Sequence, residues 1–186
     1  VFKVAEDEYF QIFPDTDYGI EWCENRLIYE ALGQNLSDPD RYSLFRQLTN
    51  RFPDPDHARI FMQFLEKQTY PDNYKLIQQG DPSNDILFIE FGQVTARLEK
   101  KDGGSIRLRT MSSGTIIGEV GVYLNTTRGA SVVTETETTV YRLSKEALNQ
   151  LTQEHAQVAA SFHFFVARTL AERLNKTNDT IRVLMD

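Results

Sequence analysis

Between Tyr74 and Leu143 the chain is cut into short β-rich runs: 74–78, 85–91, 93–99, 106–110, 131–134 and 138–143. The joints include Gly80-Asp81, Gly92 and Asp102-Gly103-Gly104. This rhythm restricts the fold more than any other feature. Runs this short are marginal as helices but ordinary as strands. Glycine, Asp and Asn at the joints supply the backbone angles and local hydrogen bonds that tight turns require. Short strands at regular spacing predict an antiparallel sandwich or barrel of the jelly-roll kind, a mainly β fold with flanking helices.

Helical spacing appears on both sides of this block. The opening stretch to Phe13 reads as extended. Asp15-Thr16-Asp17 then caps a helix carrying Ile20, Trp22, Cys23, Leu27, Ile28 and Leu32, and Gly33 closes it. A second helix starts at Asp38-Pro39 and places Tyr42, Phe45, Leu48 and Thr49 on one face. A third carries Ile60, Phe61, Phe64 and Leu65, beyond the break at Phe52-Pro53-Asp54-Pro55. After the β block Ser144 caps a helix with Ala147 and Leu148 inward, and a longer helix runs from about His155 to the end. Its residues Val166, Leu170, Leu174, Thr177, Ile181 and Leu184 alternate spacings of four and three, a stripe that suits either a helix lying on the barrel or a homodimer through the C-terminal helix. The organisation is therefore 1–33 as the tail of a preceding domain or linker, 34–66 as a helical connector, and 67–186 as the β domain with its C-terminal helices.

Composition narrows the function. Among 186 residues, 27 acids against 20 bases give a net charge of −7, which repels phosphate backbones and argues against nucleic acid as a partner. Cys23 is the sole cysteine, so no disulfide scaffold exists. The three histidines, His57, His155 and His163, fall on predicted helices without metal-ligand spacing, and no Ser-His-Asp or Cys-His set is apparent. The expectation is a non-enzyme with no catalytic residue, no metal site and no required cofactor.

One stretch departs from simple alternation: Gly114-Thr115-Ile116-Ile117-Gly118-Glu119-Val120-Gly121-Val122-Tyr123-Leu124-Asn125-Thr126-Thr127-Arg128-Gly129-Ala130-Ser131. Ile116-Ile117 ends a strand, Gly118 permits a tight turn, and Glu119 to Leu124 form a short helix. The helix start presents free N–H groups, and Arg128 supplies a cationic fork suited to phosphate oxygens. Glu119 cannot favour the same anion; its use is to accept a hydroxyl proton beside it. A ligand with one phosphate and a neighbouring sugar hydroxyl satisfies both groups. The bland alternative is a Glu119–Arg128 salt bridge tying a turn to a strand, worth about 0–1 kcal/mol if exposed.

Gly118-Glu119 followed by Arg128-Gly129-Ala130-Ser131 resembles the phosphate-binding cassette of cyclic nucleotide-binding domains. Ile77-Gln78-Gln79-Gly80-Asp81-Pro82-Ser83-Asn84-Asp85-Ile86-Leu87-Phe88-Ile89 and Gly92-Gln93-Val94 look like that family's early strands. The resemblance spans about Phe61 to the C-terminus. It implies an eight-stranded jelly roll (a double-stranded β-helix), with Glu119 on the ribose 2′-hydroxyl and Arg128 on the cyclic phosphate. Main-chain N–H groups of the short helix, Val120 included, and of Ala130 would complete the cradle. Thr127 stands where the family commonly has Pro, and Gly129 where it has Ala, or Thr in guanine-preferring members. Gly129 gives guanine no hydroxyl partner, so cyclic AMP is the expected regulatory ligand over cyclic GMP.

Phe10-Gln11-Ile12-Phe13-Pro14-Asp15-Thr16-Asp17-Tyr18-Gly19-Ile20-Glu21-Trp22-Cys23-Glu24-Asn25 carries a second resemblance, to the closing strand and helix of the STAS domain in bacterial SulP sulfate permeases. It implies a cytoplasmic domain of an inner-membrane anion transporter, with the transmembrane and STAS regions of the parent as partners. Two other readings stay open: a nucleotide-free interaction or dimerisation module, motivated by Thr127 and Gly129, and the sensor half of a transcription regulator.

Overall fold

A computed structural model describes residues 43–185. The expected features before Ser43, including the Trp22 helix and the STAS-like run, lie outside the described residues. The order is α1 (Leu44–Arg51), α2 (Pro55–Met62), β1 (Glu66–Tyr70), β2 (Lys75–Ile77), β3 (Asp85–Phe91), β4 (Gln93–Glu99), β5 (Ser105–Ser112), β6 (Ile116–Ile117), α3 (Glu119–Leu124), β7 (Ser131–Thr134), β8 (Thr138–Ser144), α4 (Lys145–Glu154) and α5 (Ala156–Met185). The strands form two four-stranded antiparallel sheets, β1-β8-β3-β6 and β2-β7-β4-β5, packed as a jelly roll. The mainly β fold with flanking helices is thus observed.

Strand β3 shows how the sequence sorts two cores. Its side chains alternate, so Leu87 and Ile89 enter the space between the sheets with Ile77, Val94, Ala96, Met111, Ile117, Val132 and Val140. Ile86 and Phe88 turn the other way, beneath the helices. A strand buried on both faces reads as a continuous apolar run, which is how Ile86–Ile89 looks in sequence. Adjacent residues of β6 divide in the same way: Ile116 joins the helical core and Ile117 the inter-sheet core.

The helical core is aromatic. Phe61 of α2 stacks on Phe162 of α5 at 4.9 Å and meets Phe88 edge-on at 5.7 Å. Phe52 and Phe165 close the cluster. Each such buried side chain contributes about 1.5–3 kcal/mol, so the first half of α5 is fixed to the outer face of β3. Ser43 caps α1, Asp54 caps α2 with Pro55 behind it, and Ser144 caps α4 by accepting the Ala147 N–H at 3.0 Å.

Several expectations are corrected. In α1 the buried residues are Leu44 and Leu48, while Phe45 is exposed, because the helix turns Leu44 rather than Phe45 toward β3. The third expected helix stops at Met62, leaving Phe64 and Leu65 beyond its end but still packed on the core. Strand β1 was not expected: Glu66-Lys67-Gln68-Thr69-Tyr70 is polar and pairs with β8 at the outside of its sheet, where burial leaves little apolar signature. The stripe on α5 divides. Val166 is buried and Leu170 packs on the core, whereas Leu174 and Ile181 are exposed.

Candidate functional site

The cassette is held between strands of both sheets. Strand β6 pairs with β3 through Ile116 and Ile117, and Gly118 follows with φ 85° as the N-cap of α3. A side chain at Gly118 is doubly disfavoured. Its φ is left-handed, and an added Cβ would lie 2.3 Å from Nη1 of Arg128. Gly121 is equally tight, since a Cβ there would meet the Ser83 hydroxyl at 2.1 Å. The exit from α3 also uses a left-handed residue, Asn125 at φ 52°.

Arg128 arrives beneath α3 because its backbone is fixed to the preceding turn. Its N–H donates to Asp81 O at 2.8 Å and its C=O accepts from Gly80 N at 2.9 Å. The guanidinium is 7 % exposed. Nη1 donates to Gly118 O at 2.8 Å, and Nη2 donates to Asp85 O at 2.8 Å and to Asp85 Oδ1. Asp85 is shared, for its Oδ2 also accepts from Arg142 Nε at 2.6 Å. Hydrogen bonding to that side chain holds the Arg142 pKa above the usual arginine value.

Glu119 is held differently. Only 2 % exposed, it accepts through Oε1 from Nη1 of Arg173, which lies on α5. Nη2 of Arg173 donates to Ile116 O at 2.6 Å, so one arginine spans the strand end and the helix start. The expected alternative of a direct Glu119–Arg128 bridge is not what the described residues form: each charge takes a separate partner. Tyr123, one turn along α3, adds a second link to α5 through a 2.6 Å hydrogen bond between its hydroxyl and His163 Nδ1. Burial raises the Tyr123 pKa to about 12, so its hydroxyl keeps its proton at neutral pH.

The other expected site residues divide by role. Val120 is half exposed on α3 and Ala130 is partly buried before β7. Gly129 is exposed with ordinary φ, and a Cβ there would meet nothing within 4 Å. Ser131 is turned away from the cassette: its hydroxyl donates to Glu99 Oε1 at 2.6 Å and accepts the Gln79 N–H at 2.9 Å. Sequence reasoning missed Asp85 and Arg173. Asp85 stood within the run quoted for the early strands, but Arg173 pairs with a residue 54 positions away and left no local signal.

The arrangement offers an anion one oriented arginine and the amide start of α3, beside a carboxylate that accepts hydrogen bonds. Comparisons with known proteins bear on the fold that carries it. Residues 67–155 match the family model described as "Cyclic nucleotide-binding domain". A solved cyclic nucleotide-binding domain from Methylobacillus flagellatus superposes with a TM-score of 0.68 at 23 % identity, covering 74 % of this chain and 82 % of that one. Glutaminase 1 of Bradyrhizobium diazoefficiens is 25 % identical over 90 % of this chain and 26 % of its own length. The cAMP-dependent protein kinase regulatory subunit of Neurospora crassa is 33 % identical over 42 % of this chain and 20 % of its own length. The chain thus spans about a quarter of the curated relatives it matches. With the jelly roll and the glycine-framed cassette in place, residues 67–155 are similar to the cyclic nucleotide-binding domain family in sequence and in fold.

Proposed function

We propose that this chain is a regulatory module that binds a cyclic nucleotide and passes the event to an attached effector through α5. The observation that supports this best is the buried Arg128, aimed beneath the start of α3 by Asp85 and Gly118 O. Two hydrogen-bond partners orient the guanidinium while leaving other N–H donors for a phosphate oxygen. The ribose hydroxyl then belongs to Glu119, and main-chain groups of Val120 and Ala130 lie beside the phosphate. On the cassette alone the nucleotide is cyclic AMP, since Gly129 gives guanine no hydroxyl. The Neurospora relative is itself named for cyclic AMP dependence.

The switch follows from what Glu119 already holds. A sugar hydroxyl at Glu119 competes with Arg173, so ligand binding and the position of α5 become linked equilibria. The exposed Leu174 and Ile181 on the same helix suit a second copy of this chain, giving a homodimer whose seam moves with α5. For the effector, the SulP transporter reading rests on the residues before Ser43. A second reading is favoured by the glutaminase alignment, whose 168 residues are too many to fit within the β domain and its helices alone. By that reading the module regulates an amidohydrolase rather than a permease. Among the described residues no helix is long and apolar enough to cross a membrane.

Isothermal calorimetry with cyclic AMP and cyclic GMP tests the binding step. Saturable binding, weakened about ten- to a hundredfold by Arg128→Ala, is expected. Absence of heat and of any thermal shift at millimolar nucleotide would leave a nucleotide-free interaction module.

A further inference from the structure

Arg128 is the cation aimed beneath the start of α3, yet a carboxylate already rests on it: Asp85 Oδ1 accepts from Nη2 of Arg128. A carboxylate held by one guanidinium alone offsets most of its charge, so an arriving phosphate meets a nearly neutral pair. Asp85 is not held by Arg128 alone. Its Oδ2 accepts from Nε of Arg142 at 2.6 Å. Strand β8 arranges this meeting. Arg142 lies directly opposite Leu87 of β3 on one side and Glu66 of β1 on the other. Asp85 pairs with Ser144, two residues along each strand, so Asp85 and Arg142 are diagonal neighbours on the face that carries Leu87. That face is the one turned to the core between the sheets. Beyond Arg142, the exposed Glu66 accepts from its Nη1 at 3.4 Å. A line of alternating charge thus runs from Arg128 through Asp85 and Arg142 to Glu66 on the edge strand.

We infer that Arg142 is a positioning residue for the phosphate: by taking one oxygen of Asp85 it keeps that carboxylate from neutralising Arg128, and so sets how tightly the anion is held. The inference rests on the cyclic nucleotide reading above and adds to it a residue outside the cassette. Two effects act in the same direction. Arg142 divides the Asp85 charge between two guanidinium groups, which leaves a net positive charge on the three groups together. It also fixes the plane of the carboxylate with one oxygen toward each arginine, so the Arg128 fork stays aimed. Arg142 is not itself a second anion site, since two carboxylates already claim it. Glu66 works against it from the far end. Its charge draws on Arg142, but water and salt screen an exposed group, so its effect is the smaller one.

The test is calorimetry on the full chain with cyclic AMP and cyclic GMP, comparing wild type with Arg142→Met, Arg142→Lys and Glu66→Gln. Arg142→Met removes the charge and keeps an apolar stem, and affinity should fall about three- to tenfold. Arg142→Lys keeps the charge and should recover most of that loss. Glu66→Gln releases Arg142 from its outer partner and should tighten binding by about twofold. The opposite directions separate charge from scaffolding, because a merely structural chain of contacts weakens binding at both positions. Thermal melts of the free variants check that each folds, and the exposed Glu66 decides the matter if Arg142→Met does not. A wild type that binds, with Arg142→Met unchanged, Arg142→Lys unrecovered or Glu66→Gln no tighter, overturns this inference and leaves the sensor reading standing. No binding of either nucleotide to wild type overturns both.

Discussion

Glu119 and Arg128 sit ten residues apart, both buried, at the two ends of one short cassette, yet they are secured by different parts of the molecule. Arg128 is held from within the roll, by Asp85 of β3 and by the carbonyl of Gly118. Glu119 is held from outside it, by Arg173 on α5. The first contact exists wherever the sheets are folded. The second exists only while α5 lies against the roll. A cassette built this way keeps one charge permanently aimed and makes the other conditional on a helix. Under the proposed function, that division is what would let a ligand report its presence.

Substitutions sharpen the contrast. Asp85→Ala strands the Arg128 guanidinium inside the roll, and removing one partner of a buried pair typically costs about 3–5 kcal/mol. Urea unfolding should register that loss as a lowered midpoint for the whole domain. Arg173→Ala strands Glu119 instead, but α5 can swing away and admit water. The expected loss is smaller, about 1–3 kcal/mol, with faster amide exchange in α3 and the second half of α5 and unchanged exchange in β3 and β8. Equal losses with uniform exchange would break the comparison. Tyr123→Phe removes the hydrogen bond to His163 and should cost about 0.5–1.5 kcal/mol, again read most clearly in α5 exchange. Gly129→Ala should stabilise by about 0.4–1 kcal/mol in thermal melts, since the backbone is unstrained and the added Cβ meets nothing.

The acid response belongs to the helix side as well. Burial lowers the His163 pKa below its ordinary value, so the unfolded chain binds its proton more readily. Stability from this group is present above the unfolded value of about 6.5 and falls as pH drops through that value toward the folded one. His163→Gln should flatten that part of the stability profile.

Much of the roll was legible in sequence because its turns are chemically marked. Gly80, Gly92, Gly103, Gly114 and Gly118 all adopt positive φ, and the strands between them alternate or run continuously apolar according to how many faces they bury. Strand β1 was missed since its pairing with β8 asks little of its side chains. The cassette was legible at Gly118, Glu119 and Arg128, where backbone and charge requirements coincide. What those charges touch was not. Asp85 and Arg173 lie 43 and 54 residues from their partners, and such pairings are set by the packing of Phe88, Phe162 and Phe165 rather than by local pattern. Ser131 shows the converse. It stands in the motif, yet its hydroxyl serves Glu99 and Gln79.

The central claim is that a nucleotide in the cassette is sensed by α5 through the Glu119–Arg173 contact. Amide hydrogen exchange of the full chain, with and without saturating cyclic nucleotide, measures this directly. The account expects altered protection in α3 and in α5 around Arg173, with β3 and β8 unchanged. Identical exchange along α5 in a sample shown by calorimetry to be saturated would contradict it.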